Sequence, residues 1–417
     1  MKIAIIGSGI SGLTAAYRLH KDHEILVFEA NSYIGGHTHT VDVEAEGRNF
    51  AVDTGFIVFN DWTYPNFISL LDELGVESQP SSMGFSVKCE KTGLEYCGNS
   101  LNGLFGQRKN ILSPSFYKML YDIFRFNRIG KIFVESGDLS ISLGEFLNQY
   151  GFGDRFRDHY LIPMGAAIWS TDPRKMFGYP ANTFLRFLNN HGLLNINDRP
   201  QWRVITGGSR EYVKKMISGF SQNIHLDTAV QAVTRHQDHC AIKLSNGTEV
   251  SCDHVFFACH SDQALDLLKD ASSNEHEILS AIPYQENSAV LHTDQSALPI
   301  RKNCWAAWNY HIPPGLSDRV VLTYNMNILQ SLSAQQTFCV SLNYPGVLNP
   351  SQTIRRIIYH HPVFLQKGID AQSRHHEISG HNRTHFCGAY WRYGFHEDGV
   401  ISALKAIKRF DESINRT

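Results

Sequence analysis

Residues 2–30 read KIAIIGSGISGLTAAYRLHKDHEILVFEA, and this stretch indicates the class of fold. The apolar run at 2–6 predicts a strand that is buried on both faces of a parallel sheet, and the run at 23–30 predicts a second one. Between them, residues 13–19 predict a helix with one apolar face. The pattern G-x-G-x-x-G lies where the first strand meets this helix. Together these elements predict a βαβ unit of about thirty residues that binds a dinucleotide.

Each glycine of this pattern has a separate physical task. We expect Gly7 to form the tight turn, Gly9 to let the backbone approach a pyrophosphate, and Gly12 to let helix and strand pack closely. The helix N-terminus then offers unpaired N–H groups and a partial positive charge to the phosphates. Glu29 follows 22 residues after Gly7 at the end of the second strand, where an acidic side chain accepts hydrogen bonds from ribose hydroxyls.

Two further glycine features favour FAD over NAD as the dinucleotide. Gly35-Gly36 comes shortly after Glu29 and predicts a second turn against the same pyrophosphate, with a simple chain turn as the competing interpretation. Near the C-terminus, Gly388 precedes a loop, and Gly399 lies at the start of a predicted final helix. The N-terminus of that helix would stabilise negative charge on a reduced flavin ring. Because the sequence has no second G-x-G-x-x-G, we expect no separate NAD(P)H domain.

The composition is that of a globular protein, with 42% apolar and 19% charged residues in 417 positions. The 38 basic and 40 acidic residues give a net charge of −2, so we expect no nucleic-acid partner. The eight cysteines show no C-x-x-C spacing, which disfavours a zinc ribbon or a redox dithiol. The longest apolar candidate, 160–169, is too short to span a bilayer. We therefore expect a cytoplasmic protein without an integral membrane segment, for which transient contact with a membrane surface stays open.

The periodicity of the remaining chain predicts an α/β protein with a Rossmann-like FAD-binding domain and an inserted mixed α+β substrate domain. The FAD-binding domain is predicted to be discontinuous, with segments 1–60, 200–275 and 365–417. The substrate domain takes up 61–199, which shows mostly helical periodicity, and 276–364, which is rich in strand patterns.

Several motifs together resemble the flavin-containing amine oxidase superfamily, which includes amine oxidases, protoporphyrinogen oxidase and phytoene-type desaturases. The resemblance covers the nucleotide-binding segments well and the middle of the chain poorly. It rests on GSGISGLTAA (7–16), Glu29, GGHTHT (35–40), DTG (53–55), TGGS (206–209), DTAV (227–230), FCGAY (386–390) and HEDGVISA (396–403).

Within that superfamily, three phrases resemble a bacterial group of FAD-dependent oxidoreductases. These phrases are IWS (168–170), WAAWNY (305–310) and YHHPVF (359–364). Members of the group are predicted NAD/FAD-binding proteins that often occur beside cyclopropane-fatty-acyl synthase-like methyltransferases, and some are linked to furan-fatty-acid synthesis. The resemblance implies FAD, bound covalently or non-covalently, and a separate substrate domain.

The chain departs from the superfamily at three positions of the implied cofactor site. His37 replaces the arginine that usually contacts the pyrophosphate, and Ala389 replaces an acidic residue beside the ribityl chain. His396 falls where amine oxidases place a tyrosine of their aromatic cage. The predicted cofactor-binding residues are Gly7, Gly9, Ser11, Gly12, Glu29, Gly35, Gly36, His37, Gly55, Phe56, Val230, Gly388, Gly399 and Val400.

Aromatic residues of the middle segments are candidates for the substrate pocket. They would line an apolar slot over the flavin, with burial in the core as the competing interpretation. The catalytic residue stays unassigned, although a base within hydrogen-bond reach of the substrate is required for proton removal. The pocket candidates are Trp169, Trp305, Trp308 and Tyr310, and the catalytic candidates are His292, Tyr310 and His396.

Other reactive side chains receive structural interpretations. In some relatives, a cysteine close to the position of Cys387 forms a covalent bond with the flavin. For Cys387 itself, we favour the interpretation as a small buried residue in a strand. The histidines at 375, 376, 381 and 385 lack the regular spacing of a metal site, so no metal is expected.

The expected function is that of an FAD-dependent oxidoreductase that removes hydride from an apolar substrate of the fatty-acyl or lipid-like class. An amine or amino-acid oxidase is the first alternative, and a non-catalytic flavin-binding scaffold or sensor is the second. The electron acceptor stays open between oxygen, a quinone and a partner protein, and redox-neutral chemistry at the flavin is a further option.

Overall fold

The computed structural model describes residues 1–315 and 317–415. Its strands are β1 (Lys2–Ile6), β2 (Glu24–Phe28), β3 (Thr40–Ala45), β4 (Arg48–Asp53), β5 (Val58–Asn60), β6 (Ser78–Pro80), β7 (Phe85–Cys89), β8 (Leu94–Cys97), β9 (Trp202–Ile205), β10 (Ile224–His225), β11 (Val230–Arg235), β12 (Cys240–Leu244), β13 (Glu249–Cys252), β14 (His254–Phe257), β15 (Tyr284–His292), β16 (Trp308–Ile312), β17 (Leu322–Asn325), β18 (Cys339–Leu342), β19 (Thr353–Pro362) and β20 (Thr384–Phe386). Its α-helices are α1 (Ile10–Leu19), α2 (Pro65–Glu73), α3 (Leu101–Leu104), α4 (Pro114–Ser136), α5 (Leu143–Gln149), α6 (Asp154–Phe156), α7 (Ile162–Trp169), α8 (Ala181–Asn190), α9 (Arg210–Met216), α10 (Ser261–Leu267), α11 (Ser273–Leu279), α12 (Met326–Leu329), α13 (Gln366–Ser373) and α14 (His396–Ile414).

A parallel sheet in the order β10-β2-β1-β14-β20 forms the centre of what we call the parallel-sheet body. Strand β1 pairs in parallel with β2 on one side and with β14 on the other. The predicted α/β class is therefore confirmed, and the predicted βαβ unit corresponds to β1, α1 and β2. Helix α1 begins three residues earlier than the apolar pattern indicated, because Ser11 and Gly12 are small enough to lie buried against the sheet.

A mixed sheet in the order β19-β15-β18-β17-β16-β7-β8 forms the centre of a second part, the mixed-sheet body. Helices α4, α5, α7 and α8 cover this sheet through one large apolar cluster that joins Phe126, Phe146 and Phe184 to Tyr310 and Leu322. The prediction of a mostly helical segment at 61–199 missed β7 and β8, which are short. Strand β16 begins only at Trp308, because residues 302–304 form a 3-10 turn in front of it.

The packing extends the parallel-sheet body beyond the predicted boundary at residue 60. The apolar face of α2, with Phe67 and Leu70, lies in the same core cluster as Ile3 and Ile5 of β1. The following strand β6 pairs antiparallel with β9. The spacing of the apolar residues in α2 is helical, but a helical period does not say which of two cores the helix covers.

The mostly helical periodicity predicted for 61–199 is interrupted after α5. Helix α5 ends at Gln149, and Gly151 adopts a left-handed conformation with a φ of 62° before α6 begins. Within residues 1–315 and 317–415, we find no helix with the length and apolar character needed to cross a membrane.

Candidate functional site

A cavity of about 1270 Å³ lies between the two bodies and opens at the carboxyl ends of the strands of the parallel sheet. Ligands of α/β proteins bind at this edge of the sheet. The volume exceeds the roughly 300–1,000 Å³ of ordinary ligand pockets, so the cavity has room for an extended cofactor and a second ligand. It runs from the glycine loop at 7–9 to the helical region around Phe124 and Ile196.

The glycine loop and the N-terminus of α1 form the end of this cavity where the sequence predicts the phosphates. Gly7 has a φ of 102°, which favours glycine. A Cβ on Gly9 would meet no heavy atom of the described residues within 4 Å, so open space lies beside the helix N-terminus. By contrast, a Cβ on Gly12 would lie 2.0 Å from the carbonyl oxygen of Gly7. Gly9 therefore faces ligand space, whereas Gly12 serves the packing of helix on strand and does not line the cavity.

The second glycine turn lies directly against the first. Gly35 and Gly36 have φ values of 124° and 59°. A Cβ on Gly36 would lie 3.1 Å from the Cα of Gly9, and both turns line the cavity. The arrangement supports a shared contact with one pyrophosphate over the competing interpretation of a simple chain turn. We call Gly7, Gly9, Gly35 and Gly36 the glycine cradle.

Glu29 is buried at the end of β2 and its carboxylate is held from both sides. Oε2 accepts hydrogen bonds from the backbone N and the hydroxyl of Ser8 at 2.9 and 2.6 Å. Oε1 accepts from the backbone N and Nδ2 of Asn31 at 2.9 and 2.8 Å. The Ser8 hydroxyl also accepts from the N of Gly35 at 3.2 Å. Ser8, which the sequence analysis did not select, thus connects both glycine turns to the acidic residue.

His37 lies in the cavity wall beside the cradle, where the superfamily usually has arginine. Its ring stacks on Tyr359 at 4.9 Å, and its Nε2 is buried without a hydrogen-bond partner among the described residues. Burial lowers the pKa of His37 to about 4, so the imidazole is neutral at pH 7. It offers a single buried polar atom to a cofactor instead of the charge of a guanidinium.

The start of helix α14 contributes to the cavity wall, where Phe395, just before the helix, and His396 are lining residues. The Nε2 of His396 hydrogen-bonds with the Thr38 hydroxyl at 3.0 Å and with the Tyr212 hydroxyl at 3.1 Å. Its ring stacks on Phe56 with an interplanar angle of 12°. Burial holds the pKa of His396 well below its usual range, so this side chain is a neutral, firmly positioned part of the wall.

Gly399 and Val400 do not line the cavity, contrary to the expectation of direct cofactor contact. A Cβ on Gly399 would lie 2.7 Å from Cγ2 of Ile10, and the Ser11 hydroxyl donates to the Gly399 carbonyl oxygen at 3.0 Å. Val400 is buried in the apolar cluster of the parallel-sheet body. Because α14 begins at His396, one turn earlier than the glycine pattern indicated, these two residues serve the packing of α14 on α1.

Asp53 and Ser209, which belong to two of the motifs that carried the family resemblance, connect the end of β4 to the start of α9 and do not line the cavity. The carboxylate of Asp53, in the D-T-G motif, accepts hydrogen bonds from the Thr40 hydroxyl at 2.6 Å and from the backbone N and hydroxyl of Ser209 at 2.9 and 2.8 Å. Burial raises the pKa of Asp53 to about 6. The neighbouring Gly55 does line the cavity, and so do Val230 and Gly388.

Trp169 and Trp308 line the cavity beyond the glycine cradle, whereas Trp305 and Tyr310 do not line it. We call this region around Trp169 and Trp308 the substrate part, because the sequence predicts the substrate there. The indole Nε1 of Trp305 donates to the Pro299 carbonyl oxygen at 2.7 Å, in the turn before β16. Tyr310 shares one side of β16 with Trp308, but it lies two residues further along and is buried in the mixed-sheet core. The sequence indicates that these aromatic residues lie near one another, but it does not indicate where the strand leaves the cavity.

His292 lies outside the cavity and does not qualify as a base for a ligand there. It is fully buried in β15, and its Nε2 hydrogen-bonds with the Ser341 hydroxyl at 2.8 Å. Burial lowers its pKa to about 4. Among the three catalytic candidates, only His396 lines the cavity in the described part of the chain.

Aromatic side chains from distant segments complete the substrate part of the wall. The rings of Trp308 and Tyr324 meet nearly perpendicularly with centroids 5.2 Å apart. Most of this wall could not be recognised from the sequence, because its members come from β7, β8, α7, α8, β17 and the segment before α14, whose order along the chain gives no common motif. The additional residues are Phe85, Tyr96, Met164, Phe187, Tyr324, Tyr393 and Phe395.

Cys387 and the tail histidines take up structural positions. Cys387 is fully buried in the apolar cluster of the parallel-sheet body, and burial raises the pKa of its thiol. His375 is buried with its Nε2 against the Phe386 carbonyl oxygen at 2.8 Å, and the Nε2 of His385 accompanies the Nδ1 of His254 at 3.2 Å. No group of three potential metal ligands occurs among residues 1–315 and 317–415.

A Rossmann-type parallel sheet with a glycine cradle at its carboxyl edge defines a dinucleotide-binding protein. The family model for flavin-containing amine oxidoreductases matches residues 10–294, which is more than half of the chain. The chain therefore belongs to the flavin-containing amine oxidoreductase family. Membership confirms the predicted superfamily, the class of flavin-dependent oxidoreductase and FAD as the cofactor, and the open space beside Gly9 together with the orphaned Nε2 of His37 fits such a group.

Curated relatives are similar to this chain only in part. A 1-hydroxycarotenoid 3,4-desaturase from Flavobacterium sp. (strain P99-3) is 36% identical over 96 residues, which cover 23% of this chain and 18% of the relative. An L-amino-acid oxidase from Siganus canaliculatus is 23% identical over 337 residues, which cover 70% of this chain and 57% of the relative. The chain thus spans less than three fifths of the length of either relative.

Solved structures share the fold over nearly the whole chain. Cyclohexylamine oxidase from Brevibacterium oxydans superposes with a TM-score of 0.69 at 15% identity and covers 99% of both chains. A fatty acid isomerase from P. acnes that produces CLA superposes with a TM-score of 0.67 at 15% identity and covers 98% of both chains. At this level of identity the likeness concerns the fold alone.

Proposed function

We propose that this protein is an FAD-dependent oxidoreductase that removes hydride from an apolar substrate, of the fatty-acyl or lipid-like class. The observation that carries the proposal is the chemistry of the cavity wall beyond the cradle. Among the described lining residues, the charged side chains other than histidine are Glu29, Asp266 and Arg199. Only Arg199 belongs to the substrate part, where it is exposed at the mouth. A buried cation without a counter-charge would be strongly disfavoured there.

The histidines of the wall support this interpretation because most of them are neutral. Burial lowers the pKa values of His191 and His260 to about 4 and that of His361 to about 3. Nδ1 of His361 accepts a hydrogen bond from Nδ2 of Asn287 at 2.9 Å, and Nδ1 of His191 donates to the Phe187 carbonyl oxygen at 2.9 Å. The rings of His361 and His191 are held by these hydrogen bonds, and the neutral histidines add no charge that would attract a charged substrate.

In the proposed reaction, the cofactor and the residues of the cavity wall have different roles. The flavin supplies the capacity to accept a hydride. The residues Trp169, Trp308 and Tyr324 orient an apolar chain and exclude water from the space over the cradle. Arg199, beside the exposed Ile196, would hold the carboxylate of a fatty acid at the mouth while the chain extends inwards.

An amine or amino-acid oxidase is the second candidate. The perpendicular pair Trp308 and Tyr324 could hold a substrate ammonium through cation–π contact. A non-catalytic scaffold is less well supported, because such a protein would be expected to fill the space above its flavin with side chains, whereas this cavity is large.

Anaerobic bleaching of the purified holoprotein tests the proposal. The flavin absorbance is followed while free fatty acids, fatty-acyl thioesters, primary amines and L-amino acids are added separately. Bleaching by the acyl compounds alone supports the proposal. Bleaching by amines or amino acids with release of peroxide on admitting air supports the second candidate and overturns the first. Because redox-neutral turnover leaves the flavin oxidised, the products of each incubation are also analysed for moved or new double bonds.

A further inference from the structure

The mouth of the cavity is formed by side chains that are both exposed and apolar. Leu101 of α3, Phe124 of α4 and Ile196 line the cavity, yet 76%, 56% and 57% of their surfaces are accessible to solvent. If the cavity opened into water, we would expect polar residues at these positions of its rim. The exposed apolar rim therefore indicates that a nonaqueous medium or partner covers it.

The apolar exposure continues from the rim along one face of α4. Tyr117, Tyr121 and Phe124 follow one another at spacings of four and three residues, so they form a stripe on the solvent side of the helix. Leu112, just before the helix, is 87% exposed. In the described part of the chain, eight of the sixteen exposed large apolar side chains lie between 101 and 139, which is less than a tenth of the sequence.

Basic side chains surround this stripe. Residues 99–136 contain six lysines and arginines but only two acidic residues, Asp122 and Glu135, although the whole chain has a net charge of −2. Asp122 is buried and its carboxylate pairs with Arg125 at 3.2 Å. Arg128 and Lys131 continue the exposed face of α4 beyond Phe124. The surface therefore combines exposed aromatic and aliphatic groups with a local excess of positive charge.

We propose that this mouth surface, defined as Leu101, Leu112, Tyr117, Tyr121, Phe124, Arg128 and Lys131, docks on an anionic lipid bilayer. Tyrosine and snorkelling basic side chains suit the headgroup region, and exposed aliphatic groups suit the acyl boundary beneath it. The charge excess matches anionic headgroups. In the docked state the cavity opens towards the acyl chains of the bilayer, so a lipid-like substrate reaches the flavin without crossing water. This last step rests on the proposed function, whereas the docking itself does not.

Sedimentation of the holoprotein with vesicles tests the docking without any turnover. The vesicles contain phosphatidylcholine alone or phosphatidylcholine mixed with phosphatidylglycerol. We expect binding to the mixed vesicles that weakens with added salt, because headgroup attraction is screened. Arg128→Gln and Lys131→Gln should each weaken partitioning about fivefold. Leu112→Ser and Tyr121→Ser should weaken the binding that persists in high salt.

Matched variants away from the mouth serve as controls. Val347→Ser removes another strongly exposed apolar side chain, and Lys408→Gln neutralises an exposed basic residue on α14. Neither should change partitioning. Failure of the holoprotein to bind either kind of vesicle overturns the proposal. An equal loss of vesicle binding in the control variants and in the mouth-surface variants also overturns it. A dimer in solution that Tyr121→Ser converts to monomer, without vesicle binding, would assign the surface to a second copy of the chain. Bleaching by dispersed substrate is measured separately, so failure of the docking and failure of the proposed function remain distinguishable.

Discussion

The hydroxyl of Ser8 donates a hydrogen bond of 2.6 Å to Oε2 of Glu29, and this bond ties the first glycine turn to the end of β2. The same hydroxyl accepts from the backbone N of Gly35, so one small side chain connects the two turns of the cradle. The geometry of the predicted pyrophosphate site therefore depends on the two hydrogen bonds made by one buried serine hydroxyl.

Replacing Glu29 by glutamine should weaken FAD binding and lower stability. Each carboxylate oxygen of Glu29 accepts two hydrogen bonds, and an amide NH₂ in place of one oxygen would face donors from Ser8 or Asn31. Leaving buried donors unsatisfied costs about 1–3 kcal/mol. We expect Glu29→Gln to lower the ratio of flavin to protein absorbance after gel filtration and to lower the unfolding midpoint of the flavin-free protein. Ser8→Ala is the matched variant, and retention of flavin by both would contradict the assigned role of this pair.

Gly9→Ala and Gly12→Ala should separate ligand binding from folding. Gly9 has a φ of −69°, and its Cβ would enter open space, so the flavin-free protein should change in stability by less than about 1 kcal/mol. That methyl group would occupy the predicted pyrophosphate position, and FAD binding should be lost. The Cβ of Gly12→Ala would lie 2.0 Å from a carbonyl oxygen, and we expect destabilisation of about 3 kcal/mol or more. Denaturant unfolding of the flavin-free variants, with flavin titration, measures both effects. Undiminished FAD affinity in Gly9→Ala would show that the space beside α1 does not hold the phosphates.

The N-terminal unit could be predicted from sequence because its information is local. The apolar runs of β1 and β2, the glycines at 7–12 and Glu29 all lie within thirty residues, and each has one physical task. The same reasoning misjudged Gly399, because a glycine at a helix start can serve a ligand or a neighbouring helix. Only the position of Ile10 against it distinguishes the two uses.

The substrate wall could not be predicted to the same extent, because its residues come together only through the tertiary fold. Trp308 and Tyr310 differ by two positions in one strand, and the cavity ends between them. Phe187 on strongly amphipathic α8 and Tyr324 on β17 lie at apolar positions like those of the neighbouring core residues, so no local signal separates cavity wall from core. The aromatic residues of the middle segments predicted an apolar slot, but its outline required the packing of the mixed-sheet body against the cradle.

Stability should fall steeply between pH 6.5 and pH 4 because of buried histidines such as His292. Burial lowers the pKa of His292 to about 4, so the unfolded chain binds a proton over this range and the folded protein does not. The stability contributed by the neutral ring is present above pH 6.5 and is lost as the pH falls, by up to about 3 kcal/mol for one such group.

His292→Gln keeps a hydrogen-bonding group for Ser341 but removes this titration, so its free energy of unfolding should depend less steeply on pH. Urea unfolding at a series of pH values measures the slope. The exposed His276→Gln serves as the control and should keep the slope of the parent protein. An unchanged slope in His292→Gln would mean that this ring is not buried in its neutral form.

Arg199→Gln should distinguish a fatty-acid substrate from an uncharged one. The guanidinium is exposed at the mouth, where its Nε donates to the Asn195 carbonyl oxygen at 2.9 Å, and its remaining N–H groups can meet a carboxylate. An exposed ion pair contributes up to about 1 kcal/mol, so KM for a free fatty acid should rise about fivefold while kcat changes little.

For the corresponding fatty alcohol or methyl ester, KM should stay the same in Arg199→Gln. Arg199→Lys keeps the charge and should recover most of the affinity. Steady-state kinetics with the three substrates measures the effect. An equal rise in KM for the charged and uncharged substrates would show that Arg199 acts on the shape of the mouth and not on a carboxylate.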